Sequence, residues 1–175
     1  MSLRRLLPTA VLACAASLAL PVHAVQPTPL DAQLKRLAGL LGDSYATAYP
    51  EATQVQNVSG PDGQKLVLAL FTIEAFGGGN NHRQYLAVFE EEVDESGPRG
   101  HLMLHGVTQV GAKGWRAVPK LQAEARFDRQ SGKTHFVLPA LANDAADAPN
   151  FPSRKTSIHL LLDRGLGEVG AEATP

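Results

Sequence analysis

The sequence predicts an α+β fold, in which an N-terminal helix packs on a curved antiparallel β-meander of about six strands. Apolar residues recur at helical spacing over residues 30–48. Strand-like segments then follow one another, joined by turns that contain glycine or proline. A helical segment followed by consecutive strands, rather than alternating with them, is typical of α+β domains with an antiparallel sheet.

The first 24 residues are predicted to be a secretory signal peptide. Arg4 and Arg5 precede an apolar run over residues 6–20, and a small-x-small pattern ends at Ala24. This pattern predicts cleavage after Ala24 and a periplasmic or secreted protein. A lipobox around Cys14 is the alternative, but the apolar run continues beyond Cys14, which favours the signal peptide.

The remaining chain is predicted to form a single domain over residues 25–165, followed by a flexible C-terminal tail over residues 166–175. The full chain has 175 residues, 44% of them hydrophobic, which is typical of a globular domain. Its formal net charge of −1 lacks the basic excess of a nucleic-acid-binding protein. After cleavage no cysteine and no transmembrane span are expected, and the pattern indicates no cofactor.

The predicted helix covers residues 30–48, with Asp31 as its N-cap. Four leucines share one face, and Tyr45 continues it. Gly39 and Gly42 weaken the helix, which is expected either to break near Gly42 or to continue until Pro50 stops it.

The most hydrophobic stretch of the mature chain predicts two strands joined by a glycine- and asparagine-rich turn. Leu66, Leu68 and Leu70 lie on one face of the first strand, and residues on its opposite face are also apolar. This pattern predicts a strand buried on both sides. The second of these two strands is expected at residues 84–93, and the other strands at residues 53–58, 100–110, 121–127, 133–138 and 156–163. A solvated acidic loop is expected at residues 90–95, a strand end at Pro139, and a long loop at residues 140–153.

The turn between the two central strands is the first candidate site. Its residues are Gly77, Gly78, Gly79, Asn80, Asn81, His82 and Arg83. Consecutive glycines allow backbone amides to approach an anion or a carboxylate closely, and the polar side chains add donors. The alternative is a wide hairpin turn that needs several positive φ angles. No helix start or Lys-Ser/Thr pair follows, so the glycines do not indicate a phosphate-binding loop.

Three further patterns concern candidate contact, catalytic and metal-binding residues. Trp115, beside a glycine turn, is expected either to contact a ligand or partner or to lie in the core. Glu74 and His82 flank the glycine turn and would supply general acid–base groups in a hydrolase. In the alternative interpretation, Glu74 forms an ion pair with His82 or Arg83 at the end of the hairpin. His101 and His105 are too far apart along a strand to share one metal ion, so no metal site is predicted.

The leading functional hypothesis is an exported, periplasmic, non-catalytic binding protein that contacts an envelope protein or small ligand, with inhibition of an exported enzyme and envelope maintenance as the candidate roles. One alternative is a periplasmic hydrolase that uses Glu74 and His82. Another is a carrier of an apolar ligand within the curved sheet. The sequence shows no nucleophile motif, which favours binding over catalysis.

Overall fold

The computed structural model describes residues 28–94, 97–165 and 168–171. The predicted signal peptide and its cleavage site lie outside the described residues. Within the described ranges, no helix has both the length and the apolar character needed to cross a membrane.

One α-helix, three short 3₁₀ helices (Pro50–Ala52, Pro61–Gly63 and Phe76–Gly78) and ten strands make up the regular structure of the described residues. The helix is α1 (Pro29–Leu41). The strands are β1 (Thr47–Ala48), β2 (Gln54–Ser59), β3 (Lys65–Glu74), β4 (His82–Asp94), β5 (Gly97–Ala112), β6 (Arg116–Ala117), β7 (Glu124–Asp128), β8 (Lys133–Ala142), β9 (Arg154–Asp163) and β10 (Glu168–Ala171). The helix-plus-sheet class is confirmed, but the number of strands is ten rather than six.

Helix α1 begins with a capping box. Asp31 N donates to Thr28 Oγ1 at 3.2 Å, and Thr28 N donates to Asp31 Oδ2 at 2.9 Å, which satisfies two free amides of the first turn. The N-cap is therefore Thr28, and the predicted cap Asp31 is the third residue of the helix. The helix ends at Leu41 with Gly42 as its C-cap, so the expected break near Gly42 is confirmed and the continuation to residue 48 is wrong. Residues 47–48 instead pair with the end of β3.

All strand pairs are antiparallel and belong to one open sheet. The main path runs β1-β3-β4-β5-β6-β8-β9-β10. Strand β2 shares the outer edge of β3 with β1, and β7 shares an edge of β8 with β6. Strands β5 and β6 are joined through only one residue pair, Ala112 and Arg116, so this is where the two halves of the sheet meet.

The two halves of the sheet enclose one hydrophobic cluster, which we call the interior core. Its buried members are Leu66, Leu68, Leu70, Leu86, Val88, Val110, Val118, Leu121, Ala123, Phe136, Leu138, Ala140, Ile158, Leu160, Leu162 and Val169. A second cluster lies between α1 and the other face of β3 and β4; it contains Leu34, Leu37, Ala69, Phe71, Ile73, Phe76, Tyr85, Ala87 and Phe89. The prediction that β3 is buried on both sides is confirmed.

Several predicted boundaries are wrong. The acidic run is not a loop, because β4 continues to Asp94. Strand β8 does not end at Pro139 but continues to Ala142. On one edge Pro139 is aligned with Ser157 of β9. On the other edge it lies between the residues that pair with β7 and those that pair with β6, where no strand needs its missing amide proton. The predicted flexible tail contains β10, four residues paired with β9. Residues 166–167 and 172–175 of that tail lie outside the described residues.

Side-chain amides replace backbone pairing along residues 118–123. Gln84 receives a hydrogen bond from Val118 N at 2.8 Å and donates to Val118 O at 3.2 Å. Gln56 bonds both backbone groups of Ala123, at 2.7 and 2.8 Å. Gln54 accepts from Leu121 N at 2.7 Å and donates to Pro119 O at 3.2 Å. We call these three contacts the glutamine clamps, and they hold the segment over the interior core.

Candidate binding surface

The glycine turn is a wide connection that requires left-handed backbone. Three of its residues have positive φ: Ala75 at 62°, Gly77 at 65° and Gly78 at 71°. Glycine adopts this region without steric cost, whereas Ala75 is the only such non-glycine residue described. Two consecutive glycines are therefore explained by the shape of the turn itself.

The amides of the three glycines already have partners within the chain. Gly77 N donates to Asp43 Oδ2 at 2.8 Å. Gly78 N donates to Ala75 O at 2.9 Å, and Gly79 N donates to Phe76 O at 3.3 Å. Gly77 N therefore binds a carboxylate, that of Asp43 in the same chain. The hypothesis that these amides bind an external anion is not supported.

Asp43 is held in its ionised form by these contacts. Its pKa is lowered from 3.8, chiefly by the hydrogen bond from Gly77 N and next by the bond from Tyr45 N, with a smaller contribution from the charge of Arg83. The Arg83 guanidinium lies over the Phe76 ring, with Cζ 4.3 Å from the ring centroid. Arg83 therefore packs against the base of the turn.

The polar half of the turn lines a cavity of about 320 Å³. Asn80, Asn81 and His82 contribute from the turn, Glu74 contributes from the end of β3, and Asn150 contributes from the β8–β9 loop. Amide, imidazole and carboxylate groups in one cavity provide both donors and acceptors.

Backbone and lysine contacts join three loops at this end of the sheet. Lys113 Nζ donates to Asn80 O at 2.6 Å, and Lys113 N donates to His82 O at 3.2 Å. Gly114 N donates to Pro149 O at 2.8 Å, and Asn143 N donates to Trp115 O at 2.8 Å. Residues 77–83, 113–115 and 143–151 thus form one continuous surface, which we call the loop surface.

Trp115 and Phe151 are the exposed aromatic residues of the loop surface. Trp115 is 45% exposed, so it is not a core residue, and Phe151 is 75% exposed. The Arg116 guanidinium covers the tryptophan ring at 3.9 Å from its centroid. Arg116 Nε also donates to Val110 O at 2.8 Å, and partial burial lowers the pKa of Arg116. Sequence reasoning missed Phe151 and Asn150, although it identified the long loop that carries them.

The loop surface shows no assembled catalytic pair. Glu74 and His82 are directly paired in the register of β3 and β4 and line the same cavity, but no hydrogen bond between them is present and Glu74 is exposed. Among the described residues, no three His, Cys, Asp or Glu side chains are grouped closely enough to hold a metal ion.

Comparisons with protein-family models, with curated proteins and with solved structures found no match. The functional argument therefore depends on the geometry of the loop surface alone.

Proposed function

We propose that the protein is an exported, periplasmic, non-catalytic binding protein that holds a small polar ligand on the loop surface. The observation that supports this proposal is the cavity of about 320 Å³ between hydrogen-bonded loops, lined by Glu74, Asn80, Asn81, His82 and Asn150. Its volume is at the lower end of the range of about 300–1,000 Å³ that is usual for small-ligand sites.

The chemistry of the lining favours a ligand rich in hydroxyl groups, such as a saccharide. Asn81 and Asn150 each offer an amide donor and a carbonyl acceptor, and Glu74 adds a carboxylate acceptor. The exposed Trp115 ring lies on the same turn as Lys113, which contacts Asn80. An aromatic face beside polar groups suits the apolar face and the hydroxyl edge of a sugar ring.

A titration with a defined panel of mono- and disaccharides tests this proposal. The expected result is a change in the NMR amide signals of Asn80 and Asn81 and in the indole signal of Trp115. Asn150→Ala removes a neutral hydrogen-bonding group, so affinity should fall about three- to tenfold. Asn57→Ala is the matched control, because Asn57 is exposed on β2, outside the loop surface.

Two outcomes would contradict the proposal. In the first, no saccharide of the panel changes those signals, or Asn150→Ala and Asn57→Ala bind equally well. In the second, the protein cleaves a bound saccharide and Glu74→Gln abolishes cleavage, which would instead support the hydrolase hypothesis.

A further inference from the structure

The end of the interior core farthest along the strands from the glycine turn is rimmed by polar side chains. His105 is the extra residue of a β-bulge in β5, because Val88 is aligned with Gly106 and Phe89 with Leu104. At the bulge, His105 Nε2 lies 2.7 Å from Glu90 Oε2, and the His105 side chain is 6% exposed. Bulges commonly redirect a side chain near functional sites.

Strands β5 and β10 lie close together at this end of the core. A Cβ atom added to Gly106 would lie 3.0 Å from Val169 N, so these two strands approach closely without a ladder. Val169 is aligned with Leu162 of β9, and Leu162 with Thr134 of β8.

Strand β7 and Gly60, the residue that follows β2, also lie close together at this end of the core. Thr134 is aligned with Phe127 of β7. A Cβ added to Gly60 would lie 2.9 Å from Phe127 Cε1 and 2.7 Å from Gln64 Oε1, so the amide of Gln64 lies beside that ring. Gln64 immediately precedes β3, where Leu66 is aligned with Glu90. At this end, the close approaches of β5 to β10 and of Gly60 to β7 connect the edges of the open sheet into a ring of contacts. We call the polar side chains of this ring, Gln64, Glu90, His105, Thr134 and Arg164, the polar rim.

Three side chains of the polar rim have buried polar atoms without a hydrogen-bond partner. These atoms are both amide atoms of Gln64, Thr134 Oγ1 and Arg164 Nε. Thr134 is fully buried. Arg164 directly follows Asp163, which is aligned with Lys133 beside Thr134. Buried polar groups are almost always paired, so three side chains with unpaired buried polar atoms at one end of a core favour a polar ligand that binds there.

The chemistry of these atoms favours an anion. Three of the four orphan atoms, those of the guanidinium, the amide nitrogen and the hydroxyl, can donate, whereas Gln64 Oε1 accepts. A planar guanidinium matches a carboxylate with two parallel hydrogen bonds. Neighbouring cations already have partners: Lys133 Nζ lies 3.2 Å from Asp163 Oδ2, and Lys65 Nζ lies 3.4 Å from Glu91 Oε2. No ion pair of Arg164 is present among the described residues.

We propose that the polar rim binds the carboxylate of an apolar monocarboxylic acid. A single guanidinium suits a monoanion better than a phosphate dianion. Leu66, Leu162 and Val169 belong to the interior core, and Phe127 packs against it, so these side chains would contact the apolar body of the acid. Glu90 is 23% exposed and Asp163 21% exposed, so this end of the core reaches the surface. The rim is separate from the loop surface and does not depend on the ligand proposed there.

Isothermal titration of the mature protein with octanoate tests this inference, with octan-1-ol as the neutral analogue. Octanoate is expected to bind, and octanol to bind at least about tenfold more weakly, since the charge-assisted hydrogen bonds are lost. Arg164→Gln should weaken octanoate binding about tenfold or more. Arg129→Gln is the matched control, because it removes an exposed arginine from the β7–β8 turn at the same end.

Thr134→Val keeps the shape of the side chain and removes the orphan hydroxyl, so it tests the site without disturbing the fold. Weaker octanoate binding by this variant supports the inference. The inference is overturned if octanoate does not bind at millimolar concentration, or if Arg164→Gln and Arg129→Gln bind it equally. It is also overturned if Thr134→Val stabilises the protein and leaves octanoate binding unchanged, because the hydroxyl then has no ligand to contact.

Discussion

At the scale of single residues, the shape of the glycine turn depends on a carboxylate from outside it. Asp43 accepts hydrogen bonds from Gly77 N at 2.8 Å and Tyr45 N at 2.9 Å, and so ties the segment after α1 to the turn after β3. The turn supplies Asn80 and Asn81 to the cavity of the loop surface. Asp43 is therefore a positioning residue for the proposed binding site.

Asp43→Asn is expected to lower the melting temperature at pH 7, because a neutral amide accepts these hydrogen bonds less strongly than a carboxylate. The folded-state pKa of Asp43 is below the ordinary value of 3.8. Its ionised form therefore stabilises the fold above pH 3.8, and that contribution is lost as the pH falls through the lowered pKa. The difference in melting temperature between wild type and Asp43→Asn should shrink below pH 4.

Thermal unfolding between pH 2.5 and pH 7 measures this effect, with Glu51→Gln as a control for removing an exposed carboxylate. A difference that stays constant across this range would show that the charge of Asp43 does not stabilise the turn.

The glycines and Asp43 differ in how far the sequence predicts them. Three glycines between two strand-like segments predict positive φ angles, and Gly77 and Gly78 have them. The partner of Gly77 is 34 residues away in sequence. A single carboxylate after a helix has no local pattern that identifies its distant partner. The sequence therefore does not predict that Gly77 N is hydrogen-bonded to Asp43.

At the scale of elements, the glutamine clamps replace a strand. Leu121 and Ala123 follow the alternating pattern that predicts a strand from residue 121, but β7 begins only at Glu124. The backbone of residues 118–123 pairs instead with the side chains of Gln54, Gln56 and Gln84. Alternation records which residues face the core, not whether a strand or a side chain supplies their hydrogen bonds.

Gln56→Ala is expected to destabilise the protein by about 2–3 kcal/mol, because it removes two part-buried hydrogen bonds and leaves both backbone groups of Ala123 unpaired. Hydrogen exchange should show faster exchange at Ala123 N, with unchanged protection in the central strands β3 and β4. Gln122→Ala is the matched control, since Gln122 is exposed and makes no described hydrogen bond. Equal protection of Ala123 in the two variants would contradict the role of the clamp.

At the scale of the whole molecule, composition and pattern predict that a helix packs on a sheet, but not how the edges of that sheet approach each other. The apolar residues on both faces of β3 predict its double burial, which follows from the interior core on one side and α1 on the other. The approach of Gly106 to Val169 and of Gly60 to Phe127 joins residues more than 60 positions apart. Such contacts have no periodic signal, so the polar rim appears only in the folded chain.

The mature chain is expected to begin at Val25, directly after the proposed cleavage at Ala24, and therefore to lack Cys14, the only cysteine of the sequence. An exported domain of this composition is then stabilised by its two hydrophobic clusters without a disulfide. Intact-mass measurement of the protein from a periplasmic fraction should match residues 25–175. Cys14→Ser should leave that mass and the melting temperature unchanged, whereas Ala24→Asp should block cleavage, since the cleavage site requires a small residue. An acylated N-terminus at Cys14, lost in Cys14→Ser, would replace this proposal with a lipid-anchored protein.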